Sequence, residues 1–248
     1  MQWLKKIFGK EKQLSPIHLG QLQTDFHSHL IPGIDDGAQS MEDSLQMIRR
    51  FKELGYQKVI TTPHVMSDFY RNDSATILSG RDAVRKALAE AKIEIEFDAA
   101  AEYYLDEHFE AKIHAKDLLT FGDNYVLFEL PFVAEPPNLA AAIFEMQTNG
   151  YKPILAHPER YGFWYKDFDK YHEMKDKGVY LQLNMLSLIG HYSPETQKIA
   201  ERLIDEELIT FLGSDCHNVG HQQLMEIART KPYLHRLIES GKLLNGSL

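Results

Sequence analysis

Cysteine is almost absent from this chain, with Cys216 the only one. A single thiol excludes an intrachain disulfide framework and suits a reducing compartment. Long apolar runs are missing as well. No stretch of roughly 18 apolar residues occurs, so no membrane-spanning helix is expected. The start, Met1-Gln2-Trp3-Leu4-Lys5-Lys6-Ile7-Phe8-Gly9-Lys10, is basic and aromatic but has no apolar core of a secretory signal. A cytoplasmic location is the expectation that follows. This segment suits weak contact with an anionic membrane surface. The preferred expectation is plainer: a short N-terminal arm over residues 1–23, packed on the domain or frayed. Positive charge is also scarce, with 27 Lys and Arg against 36 Asp and Glu and a net charge of −9. That argues against nucleic acid as the main partner, since a phosphate backbone needs a basic patch.

Several catalytic signatures are missing too. There is no G-x-x-x-x-G-K-[ST] phosphate loop and no G-x-S-x-G serine elbow. A cysteine nucleophile acting on phosphate needs C-x5-R, yet the sixth residue after Cys216 is Gln222. Cys216 is therefore expected to be a small buried apolar residue. Repeats, low-complexity tracts and long Pro, Gly or Ser linkers are all lacking. One domain over residues 24–248 is expected.

The chain does contain a regular alternation of element types. Apolar or β-rich runs fall at 24–27, 58–62, 93–101, 125–130, 153–157, 179–184 and 209–213. Helical patterns lie between them. Residues 41–54 place Met41, Leu45, Ile48 and Phe51 on one stripe, with Gly55 as the stop. Asp73 and Ser74 cap a helix running toward Ala91. Further helices are expected over 139–148, from Pro194 through Glu206, over 221–229 and over 233–240. Seven strands alternating with helices imply parallel βαβ units, as an open sheet or a closed barrel.

Short clusters of metal-ligand side chains decide between the two. His27-Ser28-His29, Thr62-Pro63-His64, Glu102, Glu129, His157-Pro158 and Ser214-Asp215-Cys216-His217 each sit at or near a strand's C-terminal end. Side chains two residues apart on an extended backbone share a face. Imidazole and carboxylate are ligands for hard-to-borderline divalent cations. An open sheet gathers its site at one switch point, whereas a barrel brings all strand ends to one rim. Candidates on six of seven strands meet only on a rim, so the expected fold is an α/β, TIM-like (βα)7 barrel carrying a polynuclear metal site. Glu129 stands in the apolar run Val126-Leu127-Phe128-Glu129-Leu130, where an unpaired carboxylate is costly to bury. Arg160 lies three residues beyond His157, as a phosphate-binding guanidinium would. The alternative for Arg160 is a surface pair with Glu159.

Taken together, H-x-H, T-P-H, the Ala-Glu-Tyr-Tyr around Glu102, His157-Pro158-Glu159-Arg160-Tyr161 and S-D-x-H resemble the PHP (polymerase and histidinol phosphatase) superfamily. With Pro32-Gly33-Ile34-Asp35-Asp36-Gly37 they look most like one branch, the manganese-dependent protein-tyrosine phosphatases of bacterial capsule and exopolysaccharide loci. The resemblance runs from about Thr24 to Asn218. It implies a distorted barrel of the PHP fold and three divalent metal ions, Mn²⁺ foremost with Fe or Zn as alternatives. One would take His27, His29, Glu102 and Asp215; a second Glu102, Glu129 and His157; a third Asp36, His64 and His217. It implies Arg160, Asp215 and His217 as catalytic residues, and attack on phosphorus by a hydroxide between the metals. The implied partner is a phosphotyrosine protein, the tyrosine-rich tail of a bacterial tyrosine autokinase that regulates polysaccharide synthesis. A small-molecule phosphoesterase acting on a compound such as histidinol phosphate, and an inactive metal-binding scaffold, are the competing readings. Two positions depart from the pattern. Val65 stands where some relatives have a second histidine, and residues 218–223 hold no second phosphate-binding arginine, with His221 the candidate in its place.

Overall fold

A computed structural model describes residues 14–248. Nine strand segments are present there: β1 Thr24–Asp25, β2 Lys58–Thr61, β3 His64–Val65, β4 Glu96–Ala99, β5 Glu102–Tyr104, β6 Tyr125–Glu129, β7 Lys152–Ala156, β8 Tyr180–Asn184 and β9 Phe211–Gly213. All pair in parallel, in the orders β1-β2-β4 and β3-β5-β6-β7-β8-β9. The two groups are parts of one ladder. Pro63, which has no N–H to donate, separates β2 from β3, and Ala100-Ala101 separates β4 from β5. Hydrogen bonds from Ala100 N–H to Thr61 O (2.9 Å) and from Glu102 N–H to Pro63 O (3.1 Å) carry the pairing across both breaks. The last strand line returns to the first through Asp215 N–H to His27 O (2.7 Å) and His29 N–H to Cys216 O (2.9 Å), around a parallel bridge between Ser28 and Cys216. Seven strand lines thus form the expected barrel.

Alternation along each strand sorts side chains between two cores. Phe26, Ile60, Leu127, Ile154 and Phe211 fill the barrel interior. Val59, Val126, Phe128, Leu155, Leu181 and Leu212 point outward to the helices. Tyr125, Leu127 and Glu129 share the inner face of β6. The interior is therefore apolar at its base and acidic at its C-terminal rim.

The outer layer consists of α1 Met41–Leu54, α2 Ser74–Glu90, α3 Glu107–Ala115, α4 Leu139–Thr148, α5 Asp169–Asp176, α6 Pro194–Asp205, α7 Val219–Ala228 and α8 Pro232–Glu239. α1 opens on a Ser40/Asp43 capping box and closes at Gly55, whose φ of 104° suits glycine. Its buried stripe is Met47, Ile48, Phe51 and Leu54; Met41 and Leu45 pack only partly, so the face is rotated from the one read in the sequence. Helices α3 and α5 escaped the periodicity. Each offers a short buried stripe, Phe109 and Ile113 in one and Tyr171 and Met174 in the other, inside otherwise polar sequence. Residues 14–22 pack onto the barrel, with Ile17, Leu19 and Leu22 buried and Leu14 N–H donating to Thr230 O. Membrane contact through residues 1–10 concerns a segment outside the described residues. No helix among the described residues is long and apolar enough to cross a membrane.

Candidate metal centre

Strand ends deliver the candidate ligands to one rim. His27 and His29 follow β1, His64 opens β3, Glu102 opens β5, Glu129 ends β6, and His157 follows β7. Asp215 and His217 follow β9, while Asp36 comes from the turn after the first strand. His157 (φ 34°) and Asp215 (φ 49°) both adopt left-handed backbone, which non-glycine residues seldom do. Such conformations persist where surrounding structure over-determines them, commonly at functional sites. His27, His29, Glu102, Glu129, His157 and Asp215 are buried, His64 and His217 are partly so, and Asp36 is half exposed.

Three overlapping groups result: His27, His29, Glu102 and Asp215; His64, Glu102 and Glu129; and His29, Asp36, His64 and His217. Glu102 Oε2 lies 3.2 Å from His27 Nε2, 3.4 Å from His29 Nε2 and 3.2 Å from His64 Nδ1. Its other oxygen is 3.1 Å from His157 Nε2. Asp215 Oδ1 is within 3.5 Å of His27, His29 and His217 nitrogens. The first group matches the set implied by resemblance. The second has His64 in place of His157, and the third adds His29; His64 Nδ1 faces Glu102 and Glu129 while its Nε2 lies 3.6 Å from Asp36. His157 approaches Glu129 less closely, at 3.7 Å.

The imidazoles are aimed by partners on their far sides. His27 Nδ1–H donates to Gln182 Oε1 (2.7 Å), His29 Nδ1–H to Asp35 Oδ2 (2.8 Å), and His217 Nδ1–H to the Asp215 carbonyl (2.9 Å). Each bond leaves Nε2 for the centre, the usual arrangement behind a metal-binding histidine. His27 Nε2, His29 Nε2, His64 Nδ1 and Glu102 Oε2 are buried without a hydrogen-bond partner. Leaving such a group unsatisfied costs about 1–3 kcal/mol. Four of them converging on one point fit divalent cations in mixed nitrogen and oxygen coordination. Protons are the alternative occupant. Burial alone would lower His27, but Glu102 and Asp215 outweigh it and lift the imidazole to about 9. Burial would likewise raise Glu102, yet His27 and His64 hold it well below the usual carboxylate range.

Arg160 closes the site from above. The surface pairing with Glu159 does not form. Glu159 is buried and accepts from Asn184 N–H (2.9 Å) and Ser187 Oγ–H (2.6 Å). Arg160 Nη1 instead donates to Asp215 Oδ2 at 3.0 Å, and its guanidinium lies over the rings of Tyr192 (4.2 Å) and Phe132 (4.8 Å). Asn184 Nδ2–H donates to both the Tyr192 hydroxyl and Asp215 Oδ2, each at 2.8 Å. Arg160, Tyr192, Phe132, Asp36 and His217 border a pocket of about 530 Å³ above the clustered ligands. His221 also lines it, but burial and His217 hold its imidazole below the ordinary range, so it offers no second fixed positive charge. Cys216 is buried in the outer core, its thiol pushed up by burial and donating to Asn218 O.

Sequence reading missed Asp35, Phe132, Gln182, Asn184 and Tyr192. A signal existed for two of them. Gln182 and Asn184 alternate with Leu181 and Leu183, so polar side chains share the inner face of a buried strand, as Glu129 does.

Comparison with known proteins agrees with this architecture. The family described as "Capsular polysaccharide synthesis, CpsB/CapC" matches residues 23–241. Tyrosine-protein phosphatase YwqE of Bacillus subtilis (strain 168) is 31% identical over 196 residues, covering 79% of this chain and 77% of that protein. The putative tyrosine-protein phosphatase CapC of Staphylococcus aureus is 25% identical over 229 residues, covering 89% and 90%. Among solved structures, one described with YwqE from Bacillus subtilis and CpsB from Streptococcus pneumoniae as "unique metal-dependent tyrosine phosphatases" superposes with a TM-score of 0.78 at 28% identity, over 90% of this chain and 94% of that one. An amidohydrolase from Mycoplasma synoviae, 13% identical with a TM-score of 0.54 over 96% and 91% of the two chains, shares the fold alone. The match over residues 23–241, reinforced by the relatives' identity and the superposition, places this chain in the CpsB/CapC family of capsular polysaccharide synthesis.

Proposed function

We propose that the chain is a metal-dependent protein-tyrosine phosphatase. The observation that carries this reading is the convergence of unpartnered buried nitrogen and oxygen atoms beneath an aromatic-clamped arginine. His27, His29, Glu102 and Asp215 would hold one cation, Glu102 and Glu129 with His64 or His157 a second, and Asp36, His64 and His217 a third. Manganese is the proposed metal. Bound divalent cations supply positive charge for phosphoryl oxygens and an acidified water as nucleophile.

The chain's own contribution is placement. Arg160 presents its free N–H groups to a phosphoryl group while Asp215 and two rings fix its plane. Asp215 divides its carboxylate, Oδ1 toward the histidines and Oδ2 toward Arg160 and Asn184. A tyrosyl ester leaves as a phenolate of ordinary pKa about 10, which asks little of a general acid. The proposed substrate is the phosphorylated tyrosine-rich tail of a bacterial tyrosine autokinase, met in the cytoplasm. The test is elemental analysis of protein purified without added metal, followed by turnover of a phosphotyrosine peptide and histidinol phosphate side by side. Close to three metals per chain and strong preference for the peptide are expected. Metal-free protein that remains fully active would overturn the reading, and preference for histidinol phosphate would replace it with a small-molecule phosphoesterase.

A further inference from the structure

The rim above the charged floor carries two exposed phenyl rings. Phe69 is 76% exposed and Phe132 45% exposed, and both line the pocket over the clustered ligands. Neither exposure comes from a loose loop end. Phe69 sits at the tip of a turn whose ends are paired by Met66 N–H to Tyr70 O (2.9 Å) and Tyr70 N–H to Met66 O (3.0 Å). Asp106 Oδ2 accepts from Ser67 N–H at 2.9 Å and braces the same turn. The neighbouring Tyr70 ring stacks on His64 at 5.5 Å. Phe132 stacks on His157 at 5.8 Å and leans on Tyr161 at 5.6 Å. The turn carrying Phe69 and the ring of Phe132 therefore stand over two imidazoles that reach Glu102 at different oxygens.

We infer that Phe69 and Phe132 wall a slot for the aryl ring of the ester, making this site selective for aromatic over alkyl phosphomonoesters. The inference rests on the phosphatase reading above and names two residues that would set its substrate class. With the phosphoryl group drawn to the charged floor, the ester's carbon skeleton must rise past the rim. A flat ring covers the exposed surface of both phenyls and removes it from water, with offset or edge-on contacts that aromatic pairs favour. A short alkyl chain leaves that surface wet. The polar floor and apolar rim thus read the two ends of one molecule.

The test compares phenyl phosphate and a phosphotyrosine peptide with β-glycerol phosphate, in cation-loaded wild type, Phe69→Ala, Phe69→Trp, Phe132→Leu and Phe144→Ala. Phe144 is equally an exposed ring but does not line this pocket. Phe69→Ala should lower kcat/KM for the aryl esters roughly tenfold while changing the alkyl ester less than about twofold. Phe69→Trp should keep the aryl rate, Phe132→Leu should lower it, and Phe144→Ala should change nothing. Inhibition by inorganic phosphate should stay the same in Phe69→Ala, since Arg160 is untouched, and weaken in Phe132→Leu. Equal losses for aryl and alkyl esters in Phe69→Ala, or no loss for either, overturn the slot while leaving the phosphatase reading intact. Wild-type protein that hydrolyses none of the esters with cations bound removes both.

Discussion

Arg160 and Gln182 illustrate how single side chains act through what fixes them. Arg160 has its charge met by Asp215 and its plane fixed between Tyr192 and Phe132. Lysine would keep the charge but neither stack flat nor make the two-pronged grip on oxygen. Arg160→Lys should lower kcat/KM for a phosphotyrosine peptide roughly tenfold or more, weaken phosphate inhibition and leave metal content unchanged. Wild-type kinetics in this variant would return Arg160 to a structural role. Gln182 touches no candidate cation position yet directs His27 through the bond to Nδ1. Gln182→Leu keeps much of the volume and removes the acceptor. Cation affinity should fall roughly 10- to 100-fold, measured by calorimetric titration of chelated protein, with the melting temperature falling by several degrees because His27 Nδ1–H and the Leu183 carbonyl lose their buried partner. Unaltered affinity would mean that His27 orients without help.

At the scale of elements, the barrel strands hold the candidate ligands while the turns above them carry the exposed rings, so the joints between the two matter. Asp106 is one such joint. Its Oδ1 accepts from Phe109 N–H (2.8 Å) and caps α3, while Oδ2 accepts from Ser67 N–H in the turn bearing Phe69. Losing an N-cap costs about 0.5–2 kcal/mol, and each kcal/mol shifts melting by about 2–4 °C in a domain of this size. Asp106→Ala should therefore melt a few degrees lower and show a raised KM for the phosphotyrosine peptide at normal metal content. A lowered melting temperature with unchanged KM would show that the turn is held without Asp106.

For the whole molecule, the centre makes stability depend on pH in a way that reports its occupancy. In cation-free protein His27 is lifted from 6.5 to about 9, and His29 and His64 also rise because Asp35 and Glu102 outweigh the effect of burial. A raised folded pKa contributes stability fully below about 6.5 and loses it as pH climbs toward 9. Buried Asp25 and Glu159, raised to about 7 by desolvation, lose theirs between about 4 and 7 and add little slope beyond. Between pH 7 and 9 the histidines therefore dominate. Bound cations take the place of those protons and stabilise the fold by mass action. Thermal melts at pH 7, 8 and 9 should show the loaded protein above the chelated one, with the gap widening toward pH 9 by the equivalent of a few kcal/mol. A constant or narrowing gap would contradict proton and cation competition at these histidines.

Much of this protein is written in local order. The strands at 58–62 and 125–130 show themselves by apolar runs, and α1 by its cap, stripe and terminal Gly55. Ligand clusters are legible because His27 and His29, or Asp215 and His217, are near neighbours whose spacing alone sets a common face. Six such clusters on six of the seven strands imply a rim, and hence a closed barrel. Helices α3 and α5 were hidden because a two-residue apolar stripe is too short to establish a period. Only the tertiary structure decided that His64 turns its two nitrogens to two different groups. It also decided that Arg160 leaves its neighbour Glu159 for Asp215, 55 residues away, and that Gln182 comes to lie behind His27 across the barrel. Those contacts follow from strand register and barrel closure. They join residues that no local pattern connects, and they settle which atom faces which.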